Sequence, residues 1–232
     1  MDKAQKYIPE LSSELRQSII KMPKAIREAS GISIYGKRIK SIIYTMDVAV
    51  IANNDADAIL AVYPWTPNTR ILSAVSQVSQ APIFAGIGGG LTSGNRSARL
   101  GTFAEEQGAY GVVLNGPADM HTIEVVNESV DIPIIYTVVN DKRDMQKLIE
   151  AGVDIFNVAG GKDTVKLVSW IREQFPEFPI IASGGKTEEQ IKETIDAGAN
   201  AITYTTYGKT ESYFQEKMEQ YREQMLDDNV DV

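Results

Sequence analysis

At 232 residues, 43% of them hydrophobic and 23% charged, the chain has room for one barrel or two small domains and the composition of a globular protein rather than a disordered one. Its 31 Asp and Glu outnumber 23 Lys and Arg, giving a net charge of -8 that opposes general attraction to nucleic acid or an anionic membrane. There is no cysteine, which excludes disulfides, thiolate nucleophiles and cysteine-held zinc or iron–sulfur centres.

The N-terminal forty residues stand apart from the rest. Leu11, Leu15, Ile19 and Met22 recur at helical spacing, with Ser12 or Ser13 as a cap, so a helix is expected over Glu10 to Met22, ended by Pro23. Ile32, Ile34, Ile39 and Lys40 flank Tyr35-Gly36-Lys37 and read as a small hairpin or extended loop that plugs the barrel bottom or meets another subunit. Residues 1–30 carry charges throughout and hold no signal-length apolar core, and no run approaches about 20 apolar residues, so a cytoplasmic address is expected.

From Ser41 onward, short β-rich apolar runs alternate with segments of helical period. Strands are expected at Ser41 to Met46, Ala58 to Val62, Pro82 to Ile87, Gly111 to Asn115, Pro133 to Val138, Asp154 to Val158, Pro179 to Ser183 and Asn200 to Thr205. Asp47, Thr69, Asp141, Asp163 and Thr187 stand where helix N-caps belong, and Gly152 and Gly198 follow helix ends. Eight βα units with no interrupting domain predict a (β/α)8 TIM barrel over 41–232. Residues 1–40 form its N-terminal helical extension, the two together making one domain. A last helix is expected over Glu211 to Leu226, before an acidic tail.

In such a barrel the reactive groups sit where the strands end. The seventh strand runs into Ser183-Gly184-Gly185-Lys186, and Thr187 then opens a helix. Adjacent glycines let amides approach a ligand and the helix start adds positive potential, a setting for phosphate. Thr205-Thr206-Tyr207-Gly208-Lys209 follows the eighth strand, so Gly184, Gly185, Thr206 and Gly208 are the expected phosphate site. Gly160-Gly161-Lys162-Asp163 reads as a further anion loop. Gly88, Gly89 and Gly90, followed by Arg96 and Arg99, suit either a lid that brings an arginine to an anion or a close packing turn before a solvated helix.

Candidates for chemistry are few. Asp47 ends the first strand and suits either a general base or a helix cap; Asn115 and Asn157 suit either a bound sugar or carboxyl group or a turn. Lys186 is the proton-transfer candidate, while Lys162, Lys186 and Lys209 all follow glycine in exposed loops, which disfavours Schiff-base chemistry. His121, the only histidine, falls at a helix start and reads as a surface or capping residue rather than a catalyst. No metal-ligand spacing appears, although a magnesium ion arriving with a phosphorylated ligand would leave little trace.

The last two units, with Gly184, Gly185 and Gly208, resemble the phosphate-binding barrel superfamily, which includes thiamine phosphate synthases, isomerases of tryptophan and histidine synthesis, and ribulose-phosphate epimerases. The segments IKSIIYTMDVAVIANNDADAILAVYPWTP, FAGIGGGLTSG and FNVAGGKDT are similar to those of bacterial barrels, some loosely labelled hydrolases. The layout also resembles glycerol-uptake operon antiterminators, from which the acidic charge and the long third loop depart. The resemblance implies a small phosphorylated ligand. The acidic charge and the absence of a membrane-length apolar run lead to the expectation of no nucleic acid and no membrane; no cofactor is expected, and there is room for a homo-oligomer. The expectation leans to an isomerase, lyase or synthase. The alternative is a metabolite sensor, and third comes a hydrolase, for which no water-activating group is evident.

Overall fold

The structure, a computed structural model, describes residues 9, 11–13, 19–62, 66–205 and 219. A 3-10 turn at Lys24–Glu28 precedes a hairpin of β1 (Ile32–Ile34) and β2 (Lys37–Ile39). Then follow β3 (Ser41–Tyr44), α1 (Val48–Ala52), β4 (Ala58–Ala61), α2 (Thr69–Val78), β5 (Ile83–Gly88), α3 (Gly94–Glu106), β6 (Gly111–Leu114) and α4 (Met120–Asn127). The described chain continues through β7 (Ile134–Val138), α5 (Met145–Glu150), β8 (Ile155–Val158), α6 (Thr164–Gln174), β9 (Ile180–Ser183), α7 (Glu188–Asp196) and β10 (Ala201–Thr205). Strands β3 to β10 pair in parallel in chain order, and β10 closes onto β3, with Thr205 beside Tyr44. The fold is therefore the expected (β/α)8 barrel, and each strand lies within two residues of its expected bounds.

Strands buried on both faces read as continuous apolar runs because each alternate residue faces a different core. Ile43, Ile59, Ile87, Leu114, Phe156 and Val158 pack outward, under the helices. Ile42, Leu60, Phe84, Val113, Ile135, Ile155 and Ile181 fill the barrel itself. Ile34 and Ile39 of the hairpin join this inner cluster from the side where the strands begin. The hairpin turn needs positive φ at both central residues, which Gly36 (76°) accepts freely and Tyr35 (49°) does not. Tyr35 packs edge-on against Tyr110 at 5.4 Å between ring centres.

The segment before the hairpin departs from expectation. Glu10 and residues 14–18 of the expected helix lie outside the described residues, as does the expected last helix, of which only Glu219 is described. The described end of the first helix is not helical: the Ile20 amide donates to the Asn53 carbonyl (3.0 Å) and its carbonyl accepts from Asp55 (3.1 Å), a parallel bridge beside β4. Pro23 disfavours helix in the residue before it, and the chain after α1 offers backbone partners instead. Glu188 of α7 then holds the 3-10 turn, accepting from the amides of Lys24 (3.0 Å) and Ala25 (2.7 Å).

Candidate functional site

Strand alternation builds the mouth of the barrel. Above the inward apolar layer the same faces carry Tyr44, Thr137, Asn157, Ser183, Thr203 and Thr205, a polar arc from β7 through β10 to β3. The opposite side of the mouth offers Val62. A cavity of about 1060 Å³ opens here; Asn115, Lys162, Ser183, Lys186, Thr203 and Thr205 are among its walls. Asn157 lies deeper and is 6% exposed; its Nδ2 donates to Thr137 Oγ1 at 3.3 Å. Asn157 Oδ1 and the hydroxyl of Thr203, which is 8% exposed, have no protein partner. Leaving such groups unpaired in a folded core costs about 1–3 kcal/mol each, so they call for an explanation.

Two glycine turns meet in this cavity. After β8, Gly161 (φ 62°) starts a 3-10 turn closed by Thr164 Oγ1 donating to the Gly161 carbonyl at 2.9 Å, and Lys162 follows. After β9, Gly185 (φ 82°) precedes Lys186. Gly161 and Lys162, and Gly184, Gly185 and Lys186, all line the cavity. The glycines of the second turn have structural demands of their own. A Cβ on Gly184 would stand 2.4 Å from Ile202 Cγ2, and the Gly184 amide already donates to the Thr203 carbonyl at 3.3 Å. A Cβ on Gly185 would stand 2.7 Å from the Gln190 side chain.

Three amides around the start of α7, those of Lys186, Thr187 and Gln190, are occupied. Thr187 and Gln190 form a capping box, and Gln190 Oε1 accepts from the amides of Lys186 (2.7 Å) and Thr187 (3.4 Å). The carboxamide oxygen thus stands where an anion would meet those donors. Sequence reasoning missed Tyr44, Thr137, Thr203 and Gln190 and, among the described lining residues, the one carboxylate, Glu193; Ser183 was noted only as the end of its strand. The signal for the strand residues was alternation, and for Gln190 the Thr-x-x-Gln spacing.

The remaining expected residues are placed as follows. Asp47 caps α1, its Oδ1 accepting from the amides of Ala49 (2.8 Å) and Val50 (3.3 Å), and it is not among the cavity's walls. Gly88 and Gly89 are buried: a Cβ on Gly88 would be 2.2 Å from Ser97 Oγ, and one on Gly89 would be 2.4 Å from the Asn115 carbonyl oxygen. Close packing accounts for both glycines, while Gly90 and Arg96 are exposed. His121 is exposed on α4 and outside the cavity. Thr206, Gly208 and Lys209 lie outside the described residues. Among the described residues no three His, Asp or Glu side chains gather to hold a metal ion. No described helix is long and apolar enough to cross a membrane.

No family model matches the chain. Over 59 residues, 24% of its length, it is 42% identical to the inosine-5'-monophosphate dehydrogenase of Halalkalibacterium halodurans, of which the match covers 12%. Among solved structures it is similar to a phosphonopyruvate hydrolase in complex with oxalate and Mg++, at 14% identity and a TM-score of 0.62, over 86% of this chain and 85% of that one. The phosphoenolpyruvate phosphomutase of Streptomyces platensis subsp. rosaceus gives 14% identity and a TM-score of 0.61, over 89% and 86%. These likenesses show the barrel fold.

Proposed function

We propose that the protein is an enzyme of isomerase or lyase type acting on a small phosphorylated metabolite at the C-terminal mouth of its barrel. One observation carries this reading: the glycine turns after the consecutive strands β8 and β9 line a single cavity and bring Lys162 and Lys186 to it. Two flexible cations beside exposed loop backbone form a rim suited to a phosphoryl group. The names of the structural neighbours, a hydrolase of phosphonopyruvate and a mutase of phosphoenolpyruvate, agree with small phosphorus-bearing substrates on this fold.

In this reading the phosphate lies against Gly185, Lys186, Gly161 and Lys162, with Gly184 shaping the turn. Asn115 and Asn157 orient the remainder of the molecule. Proton transfer falls to Lys186, since the Asp47 carboxylate is taken up by its helix cap. A cover over the mouth is assigned to Gly90 with the flanking Gly88, Gly89 and Arg96.

A second reading, a sensor that binds the same metabolite without converting it, is favoured by the chemistry of the walls. Among the described lining residues Glu193 is the one carboxylate, and it is exposed on α7.

Thermal shift against paired phosphorylated and unphosphorylated metabolites tests the site, because a ligand at 100 times its Kd adds about 2.7 kcal/mol of stability. Phosphorylated compounds should stabilise the wild type and lose that effect in Lys162→Met and Lys186→Met. Equal effects of both members of each pair would remove the proposal. Incubating the stabilising compound with stoichiometric protein and following it by NMR separates enzyme from sensor: a changed compound supports catalysis, and an unchanged one supports sensing.

A further inference from the structure

We infer that the metabolite carries hydroxyl groups rather than a second acid on its carbon skeleton, and that Thr203 and Asn157 read them. This inference rests on the phosphorylated-metabolite reading of the same mouth and narrows it to a hydroxylated, sugar-like phosphate.

The polar arc on the inner wall contains hydroxyls and one carboxamide and no cation: Tyr44, Thr137, Asn157, Ser183, Thr203 and Thr205. Among the described lining residues the cations, Lys162 and Lys186, stand in the loops above it. An anionic group is therefore matched at the rim. A second carboxylate pressed onto the wall below would be desolvated without a countercharge, which is far costlier than placing a hydroxyl there.

Asn157 is bonded to Thr137 Oγ1, a hydroxyl that can give or take a hydrogen bond, and its other carboxamide atom is buried without a protein partner beneath the cavity walls. An alcohol, which also gives and takes, suits either end of that carboxamide. The Thr203 hydroxyl, likewise without a protein partner and on a residue lining the cavity, can both give and take a hydrogen bond with a second alcohol. Across the mouth, Val62 supplies an apolar surface for the C–H side of such a molecule. Thr92 Oγ1 and Ser97 Oγ, by the turn after β5, are also buried without a partner, so it is its place on the cavity wall that singles out the Thr203 hydroxyl as one a ligand can pair.

Calorimetry tests this with ribose 5-phosphate and glycerol 3-phosphate against 3-phosphoglycerate, phosphoenolpyruvate, inorganic phosphate, free ribose and free glycerol, on the wild type, Thr203→Val and Asn157→Leu. The hydroxylated phosphates should bind more tightly than the phosphorylated acids. Each variant should weaken them by about tenfold, the loss of one buried hydrogen bond, while inorganic phosphate binds as before. Thr203→Val removes an unpaired hydroxyl at constant shape, so its melting temperature should equal or exceed that of the wild type, which separates lost recognition from lost folding. Phosphorylated acids binding as well as or better than the hydroxylated compounds would overturn the inference and leave the phosphate reading standing. So would an unchanged preference in both variants. If no phosphorylated compound binds but free ribose or glycerol does, in a Thr203-dependent manner, the hydroxyl reading holds and the phosphate reading falls. If nothing binds, both fall.

Discussion

Gln190 Oε1 lies 2.7 Å from the Lys186 amide, so the turn after β9 holds one of its own side chains where a phosphate oxygen would otherwise be received. Any anion that uses these amides must displace the carboxamide and break the capping box. Gln190→Ala should therefore lower stability by about 1 kcal/mol, the usual worth of such a cap, yet bind inorganic phosphate more tightly. Gln190→Glu places a carboxylate on the same donors and should weaken phosphate by about tenfold through like charge. Titration of both variants with inorganic phosphate checks this. Equal affinity in all three proteins would place the anion away from Lys186 and Thr187.

The turn after β5 should show protection that changes within a few residues. The Gly89 amide donates to the Thr92 carbonyl (2.9 Å), and the Gly88 carbonyl accepts from the Asn115 amide (2.9 Å), while Gly90 and Leu91 are exposed. Hydrogen exchange of the free protein should find Gly89 and Asn115 slow and Gly90 and Leu91 fast. A cover over the mouth would add protection at Gly90 and Leu91 when the stabilising metabolite binds. Uniformly fast exchange from Gly88 to Asn95 would mean that the packing of Gly88 and Gly89 does not persist.

The barrel was legible because each strand is buried on two sides and therefore announces itself as an apolar run, bounded at its start by Pro82, Pro133 or Pro179 in three cases. Caps were harder. Asp47 and Thr187 cap as expected, but Asn68 acts in place of Thr69 and Asp144 in place of Asp141, since polar residues a few positions apart offer the same chemistry and only the backbone conformation selects among them. Gly185 shows a different difficulty: its glycine suits a phosphate, yet its positive φ and its contact with Gln190 require glycine whatever binds there. A bulky substitution at that position would strain the turn as well as block a ligand. The pairing of Asn157 with Thr137 was illegible, because it is set by the register between β7 and β8, which no single strand records.

Tyr136 gives the protein an alkaline limit to part of its stability. Its side chain is 1% exposed and its hydroxyl donates to the Gly116 carbonyl at 2.6 Å. Burial pushes the phenol above its usual 10.0, and nearby Arg143 opposes this only in part. The raised folded value means that the contribution of the neutral phenol is complete below pH 10.0 and is lost as the pH rises from there through the folded value. Tyr136→Phe should cost about 1 kcal/mol at neutral pH, because one hydrogen bond goes while Arg143 still donates to Gly116. Above pH 10 the gap between the two proteins should close. Urea midpoints at matched pH values measure it, and a gap that persists or widens would contradict the assignment.

Arg172 offers a test of stability separated from function. Its guanidinium donates to the carbonyls of Gly198 (2.8 Å from Nη2), Phe175 (3.2 Å), Pro176 (2.8 Å) and Phe178 (2.9 Å), and to Asn200 Oδ1 (2.8 Å). Asn200 in turn accepts from the Ile180 amide (2.9 Å) and donates to Ser30 (2.9 Å), so one side chain of α6 ties together the starts of β9 and β10 and the segment before the hairpin. Burial lowers the affinity of Arg172 for its proton, but an arginine remains charged at any ordinary pH, and the planar fork of donors suits several carbonyls at once. Arg172→Met should leave those carbonyls short of partners and cost about 3 kcal/mol in urea unfolding. Arg172→Lys should recover little, since an ammonium cannot reach the same set. Both variants should bind the stabilising metabolite with wild-type affinity, because the network lies at the strand starts and the candidate site at the strand ends. A loss below about 1 kcal/mol would show that water replaces the guanidinium. A folded variant with lost affinity would show that the two ends of the barrel are coupled.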